Sequence, residues 1–301
     1  MNKNIFIHVK NTPSHIKLLL LSVVSCFCLA FISFKGDPSN APRKCEDIIN
    51  KMLAATKGVR TLRTNVTTVE RVSGKNKVLK YAVKLNTSPY KAYSKNLDDG
   101  SEVLFVQGVN NNEATINPNG FPYVNLHLDP YGKLMRKGQH QTFLWLGFNH
   151  ISDILSHSLA KYHDAYNKFV KRDADTVFYK DSCYKIEINF SNYTYEKYTV
   201  TQKGETISSI AAKNYLSEYE ILIHNDISWF TDELETGKQL ILPSAYAKST
   251  TLLIRKDNFL PVDIRIYDDA GFFEEYIYTK LQLNPTIPDA EFTESYSGYH
   301  F

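Results

Sequence analysis

The stretch TNVTTVERVSGKNKVLKYAVKLN, residues 64–86, alternates apolar and polar side chains on either side of a Ser73-Gly74-Lys75-Asn76 break. A period of two, rich in β-branched residues, marks half-buried strands, and a glycine-containing break between two such runs reads as a hairpin. The same period continues outward. Tyr90–Lys95, Glu102–Gly108 and Asn112–Asn117 extend the meander, with turns at Asp98-Asp99-Gly100 and Asn110-Asn111. Asp175–Tyr179 and Cys183–Phe190 are further strands. Thr250–Arg255, Val262–Tyr267 and Phe272–Leu283 finish the sheet, turning at Asn258-Phe259-Leu260-Pro261 and Asp268-Asp269-Ala270-Gly271. The chain holds 20 tyrosines, many within these alternating runs, which again favours strands over helices.

Two segments switch to a helical period. Over Cys45–Lys57, Ile48, Ile49, Met52, Leu53 and Thr56 form one stripe, and Gly58 suits the C-terminal turn. Over Asn149–Lys171, Ile151, Ile154, Leu155, Leu159, Tyr162, Tyr166 and Phe169 recur at steps of three and four behind an Asn149 cap.

The 301-residue chain can bury one large core or two modest ones, and its 43% hydrophobic and 22% charged content is that of an ordinary globular protein. A net charge of +3 from scattered basic residues argues against a nucleic-acid partner. Residues 1–36 carry Lys3, Lys10 and Lys17, then the apolar run Leu18–Phe34, then a polar linker. That is an export pattern: a signal peptide, an uncleaved N-terminal anchor or, through Cys26, a lipid attachment site. A periplasmic or cell-envelope location follows, with membrane contact only through the N-terminal segment if it is uncleaved. Cys45 and Cys183 would remain as one disulfide or as two buried thiols.

Between the last two groups of strands lies YTVTQKGETISSIAAKNYLSEYEILIHNDISWFTDELETGKQLILP, Tyr198–Pro243. It reads as a short alternating strand, a turn at Gly204, two helices and a closing strand. It resembles a lysin motif (LysM), with Y-x-V, G-E-T-I, I-A, an Asn after the second helix and G-K-x-L-x-L-P in order. That resemblance implies a βααβ fold and binding of N-acetylglucosamine glycans such as peptidoglycan. The groove residues it implies are Gly204, Glu205, Thr206 and Ile207 after the first strand, with Asn225, Asp226, Ile227 and Ser228 before the second.

The segment LLIRKDNFLPVDIRIYDDAGFFEEYIYTKLQLNPTIPDAEF, residues 252–292, resembles the closing hairpins of LolA/LppX-like lipoprotein carriers. TSPYKAYSK and GSEVLFVQG fit the first half of that fold. LDPYGKL, Leu128–Leu134, and the ending YSGYHF are similar to a family of uncharacterised exported bacterial proteins. The expected fold class is α+β: an antiparallel half-barrel with helices on its concave face, residues 45–196 and 248–301, carrying an inserted βααβ module at 197–244. A lysin motif begins and ends on adjacent strands, so it can replace a hairpin turn without parting the host strands.

The first functional expectation is a non-enzymatic envelope protein that binds peptidoglycan through residues 197–244. The alternative is a carrier of acyl chains or lipoproteins, with Val83, Leu85, Val103 and Phe105 as lining residues; these could equally fill an ordinary core. No metalloprotease, nucleophile-elbow or P-loop signature occurs, so neither catalysis nor a cofactor is implied. His157 and His163 are too far apart to share a helical face as metal ligands, and no metal is expected.

Overall fold

The computed structural model describes residues 44–161 and 166–301. The export segment and His163 lie outside the described residues. The elements in chain order are α1 (Cys45–Lys57), β1 (Thr61–Val72), β2 (Lys75–Thr87), β3 (Tyr90–Asn96), β4 (Glu102–Val106), β5 (Ala114–Asn117) and β6 (Leu126–Leu128). Next come α2 (Lys133–Arg136), α3 (Asn149–Lys161), α4 (Tyr166–Phe169), β7 (Val170–Arg172), β8 (Thr176–Phe178), β9 (Asp181–Asn189) and β10 (Tyr195–Thr199). The chain continues through α5 (Ile207–Asn214), α6 (Glu218–His224), β11 (Gln239–Pro243), β12 (Ser249–Arg255), β13 (Pro261–Asp268) and β14 (Gly271–Leu283).

The architecture is mostly antiparallel sheet with some helices. One 12-stranded sheet runs β6-β5-β4-β3-β2-β1-β14-β13-β12-β9-β7, with β8 also paired to β9. The opening hairpin turns at Ser73 and Gly74, both at positive φ (49° and 76°), between the paired residues Val72 and Lys75. Two residues in the left-handed region match the twist of the strands they join.

Both helical stripes pack against one face of this sheet. Ile48, Ile49 and Met52 of α1 and Ile154 of α3 join Leu62, Val83, Leu85, Ile186 and Ile264 in the largest core cluster. A hydroxyl bridge from Ser152 to Thr56 (2.9 Å) ties the two helices together. The C-terminal tail gathers at a separate cluster: Phe292 packs with Tyr93 and Leu104, and Tyr299 stacks on Tyr93 at 3.8 Å.

One expectation needs correction, and one open alternative is decided. The helix expected over Asn149–Lys171 does not continue to its end, because Val170–Arg172 is a strand. Val170 is buried in the main core, and edge pairing with Ile188, Glu187 and Ile186 of β9 takes up the backbone groups that a helix would have bonded internally. Cys45 and Cys183 are free thiols. Cys45 packs on the main core, whereas Cys183 lies in another cluster with Leu253 and Val262.

β9 and β12 are antiparallel neighbours, from Cys183 opposite Arg255 to Asn189 opposite Ser249. Between them the chain leaves the sheet and builds a βααβ unit. Its strands β10 and β11 pair from Tyr195 opposite Pro243 to Thr199 opposite Gln239, so the first strand starts three residues before Tyr198. Val200, Ile207, Ile210, Ala211, Ile221 and Leu240 form a core of its own.

Candidate functional site

On β1 and β2 one face is set by the cross-strand pairs Val66–Tyr81, Thr68–Leu79 and Glu70–Lys77. Further along the same ladder, Thr64–Val83 and Leu62–Leu85 are covered by the main core. Where that cover ends, the face opens into a cavity of about 480 Å³. This lies within the range of roughly 300–1,000 Å³ typical of small-molecule sites. Leu79, Tyr81, Val103 and Ile116 supply sheet-side walls, and Leu134, Met135, Phe143 and Leu146 supply the roof. The roof comes from residues 129–151, which hold little regular structure beyond α2 and the start of α3. Gly147 lets it sit close: its φ is +89°, and an added Cβ would lie 2.7 Å from Leu85 Cδ2. The Gly147 carbonyl also accepts from the Tyr278 hydroxyl at 3.0 Å.

One wall is polar: Glu70, Gln141, Tyr246 and Tyr276. Behind it, Glu274 is fully buried and accepts from Tyr246 (2.7 Å) and Tyr276 (3.0 Å). His140 closes the network. Its ring stacks on Tyr219 (4.1 Å) and on Phe273 (4.3 Å), and its backbone N–H donates to Glu70 Oε2 (2.9 Å). Its Nε2 faces the Arg71 carbonyl at 3.1 Å and its Nδ1 faces Glu274 Oε2 at 2.9 Å. A carbonyl only accepts, so Nε2 carries a proton, and Nδ1 and Glu274 share another. Burial alone would lower the His140 pKa, but the hydrogen bond and charge of Glu274, aided by Glu70, raise it above its ordinary value. Burial likewise raises the Glu70 carboxyl against the opposing charge of His140.

Gln141 donates its amide to the Tyr246 hydroxyl, which itself donates to Glu274. The Gln141 Oε1 is left buried without a partner, as is His150 Nε2, and both residues line the cavity. His150 stacks on Trp145 at 3.6 Å, and burial pushes its pKa down to about 4, so it is a neutral imidazole at pH 7. The cavity is therefore largely apolar, with polar and ionisable groups, Glu70, Lys77, Asp99, Gln141 and the neutral His150 among them, set in its wall.

Of the four lining residues expected from sequence, Val103 lines the cavity. Val83 and Leu85 share the lining face of β2 but are packed in the main core, and Phe105 is buried at an edge contact of 6.0 Å with Tyr90. Glu70, Gln141, His150, Tyr246 and Tyr276 were not anticipated. The available signal was chemical: Glu70 and Glu274 interrupt otherwise alternating strands with a charge at an inward position.

In the βααβ unit most of the expected groove residues, though not Gly204 or Asp226, have structural partners. Glu205 accepts from the Thr201 and Gln202 amides (2.8 and 3.1 Å) and from the Tyr198 hydroxyl (2.8 Å), bonds that lower its pKa. Thr206 caps α5 through a reciprocal bond with Ser209, and Ile207 is fully buried. The Asn225 amide group donates to the carbonyls of Ile221 and Ile241, and its oxygen accepts from the Ile241 amide. Ile227 is core, while Ser228 donates to Asp232 and Asp226 is exposed. Gly204 has φ +84° and open space around it.

The unit is fastened to the host through buried polar contacts. Arg136, at the end of the helix that begins within LDPYGKL, is 1% exposed; it pairs with Glu218 and lies 3.9 Å over the Phe230 ring. Tyr219 stacks on His140 and accepts from the Ser73 amide at 3.1 Å. His157 of α3 stacks on Tyr215 at 4.2 Å.

Residues 60–204 match a family described as a protein of unknown function, DUF1571, over slightly less than half of the chain. No curated protein matches. Among solved structures, the chain is similar to the lipoprotein LppX of Mycobacterium tuberculosis at 15% identity and a TM-score of 0.38, covering 81% of this chain and 97% of that one. It is similar to a LolA superfamily protein of Nitrosomonas europaea at 10% identity and a TM-score of 0.30, covering 85% and 100%. A third likeness, to the MucA/MucB complex of Pseudomonas aeruginosa, has 10% identity and a TM-score of 0.37, covering 83% of this chain and 60% of that one. Among the described residues no helix is long and apolar enough to cross a membrane.

Proposed function

We propose that the protein is a non-enzymatic envelope carrier that shelters the acyl part of a lipid or lipoprotein in the cavity between the sheet and residues 129–151. The observation that carries this reading is about 480 Å³ of space with mostly apolar walls, left open by the protein's own side chains. Each methylene moved there from water gains roughly 0.8 kcal/mol, so a chain of ordinary length is held without any covalent chemistry. Peptidoglycan attachment through residues 197–244 is not carried into this reading, since Glu205, Thr206, Ile207 and Asn225 are engaged by the unit's own fold.

Native mass spectrometry of protein from an exporting host, together with displacement of a fluorescent fatty acid, tests the proposal. Co-purified acyl species and saturable probe binding are expected. Val103→Trp, which places an indole in the cavity beside Ile116, should abolish both while leaving the melting curve cooperative. A ligand-free mass with no probe binding would remove the proposal.

A further inference from the structure

We propose that Glu220, His224 and Asp269 form a binding site for a divalent transition-metal ion of the zinc type, at the seam between the βααβ unit and the host sheet. Glu220 and His224 stand four apart on α6 and so project from the same side of the helix. Asp269 comes from the turn between β13 and β14. One ligand atom from each lies within 4.8 Å of the others. The base is buried and the mouth is open: Glu220 is 1% exposed, whereas His224 and Asp269 reach solvent.

Hydrogen bonding within the cluster leaves its charge unbalanced. The Tyr195 hydroxyl lies 2.8 Å from Glu220 Oε1 and 2.9 Å from Asp269 Oδ1. A phenol has one proton and donates to one of these carboxylates, so the other oxygen meets a lone pair. The imidazole of His224 also points at Glu220 Oε1, at 3.1 Å. Glu220 Oε2 is buried and bonded to nothing, an acceptor whose desolvation is not compensated. Among the described residues neither Glu220 nor Asp269 is paired with a lysine or arginine, and neighbouring Asp268 is already bound to Arg71. A cation held by the Glu220 carboxylate, a ring nitrogen of His224 and an Asp269 oxygen meets these demands. Two carboxylates and one imidazole with an open side suit Zn²⁺ or Mn²⁺, whereas Mg²⁺ and Ca²⁺ prefer all-oxygen shells. Such an ion would bridge the inserted unit, through α6, to the β13–β14 hairpin of the host.

The test is calorimetric titration of the full, untagged chain with Zn²⁺ after dialysis against a chelator, with Mg²⁺ as control. Thermal melts with and without Zn²⁺ accompany it. One saturable equivalent of Zn²⁺, a raised melting temperature and no response to Mg²⁺ are expected. Asp269→Asn sits on an exposed turn and leaves the fold intact; it should weaken Zn²⁺ binding by at least about tenfold, and His224→Gln should do the same. Absence of saturable Zn²⁺ uptake, or an unchanged affinity in Asp269→Asn, overturns the proposal.

Discussion

Glu291→Gln should loosen the C-terminal tail, by an amount that vanishes in acid. Glu291 is 6% exposed and sits between two cations, Arg63 at 2.6 Å and Lys84 at 2.7 Å. Lys84 also donates to the Tyr299 hydroxyl, and that hydroxyl donates to the Glu291 carbonyl, so the carboxylate is the hub of the tail's attachment to β1 and β2. The Arg63 hydrogen bond, with that of Lys84, holds the Glu291 pKa at about 2 rather than 4.5. A gap of this size is worth at most about 3 kcal/mol, and screening of partners that are 26% and 20% exposed reduces it to about 2 kcal/mol. Because the folded-state pKa is depressed, the contribution is complete above about pH 4.5 and is lost as the pH falls through about 2. Urea unfolding at pH 7 should show the variant less stable by about 2 kcal/mol with an unchanged denaturant slope, and the two proteins should converge near pH 2. Equal stability at pH 7, or a difference that persists in strong acid, would refute the argument.

Gly147→Ala forces a side chain into the left-handed region against Leu85, and should lower stability by about 2–3 kcal/mol with loss of probe binding as the roof shifts; a thermal melt and the fatty-acid titration check both. Asp263 is 1% exposed with Oδ1 unpartnered, and burial, against the charge of Arg265, pushes its pKa up to about 7. Its ionisation therefore erodes stability as the pH rises from about 4 to about 7, and Asp263→Asn should be the more stable protein at pH 8, by about 2 kcal/mol, and no more stable at pH 4. Denaturant curves at the two pH values decide this, and a variant less stable at pH 8 would count against it.

Much of the sheet was legible because alternation states which side chains share a face. Residues 64–86 appear as the hairpin β1–β2, and Cys183–Phe190 pairs along Thr250–Arg255. Alternation does not state where along a strand the covering helices stop. For that reason Val83 and Leu85, on the correct face, lie beneath the helices while Leu79 and Tyr81 line the cavity. The roof was not legible. Leu126–Leu128, Lys133–Arg136 and Phe143–Trp145 are each too short to show a period, and their positions are set by tertiary contacts. Val170–Arg172 failed for a related reason: three residues at the end of an apolar helical stripe take their conformation from the strand edge they meet. The βααβ unit shows the opposite limit. Its pattern disclosed strand, helices and turn, but a motif composed largely of core positions says little about what the surface binds.

The buried guanidinium of Arg136 makes a lever of this protein. It stands one residue from Met135 and two from Leu134, both in the cavity roof, and its carboxylate partner Glu218 belongs to the βααβ unit. Pulling that unit away would strand a desolvated charge, a cost of about 3–5 kcal/mol, in addition to the contact with the Phe230 ring. The unit is thus not a pendant on a hinge. The Arg136–Glu218 pair, with the Tyr219 and His157 contacts, therefore couples the position of the unit to the residues that cover the cavity.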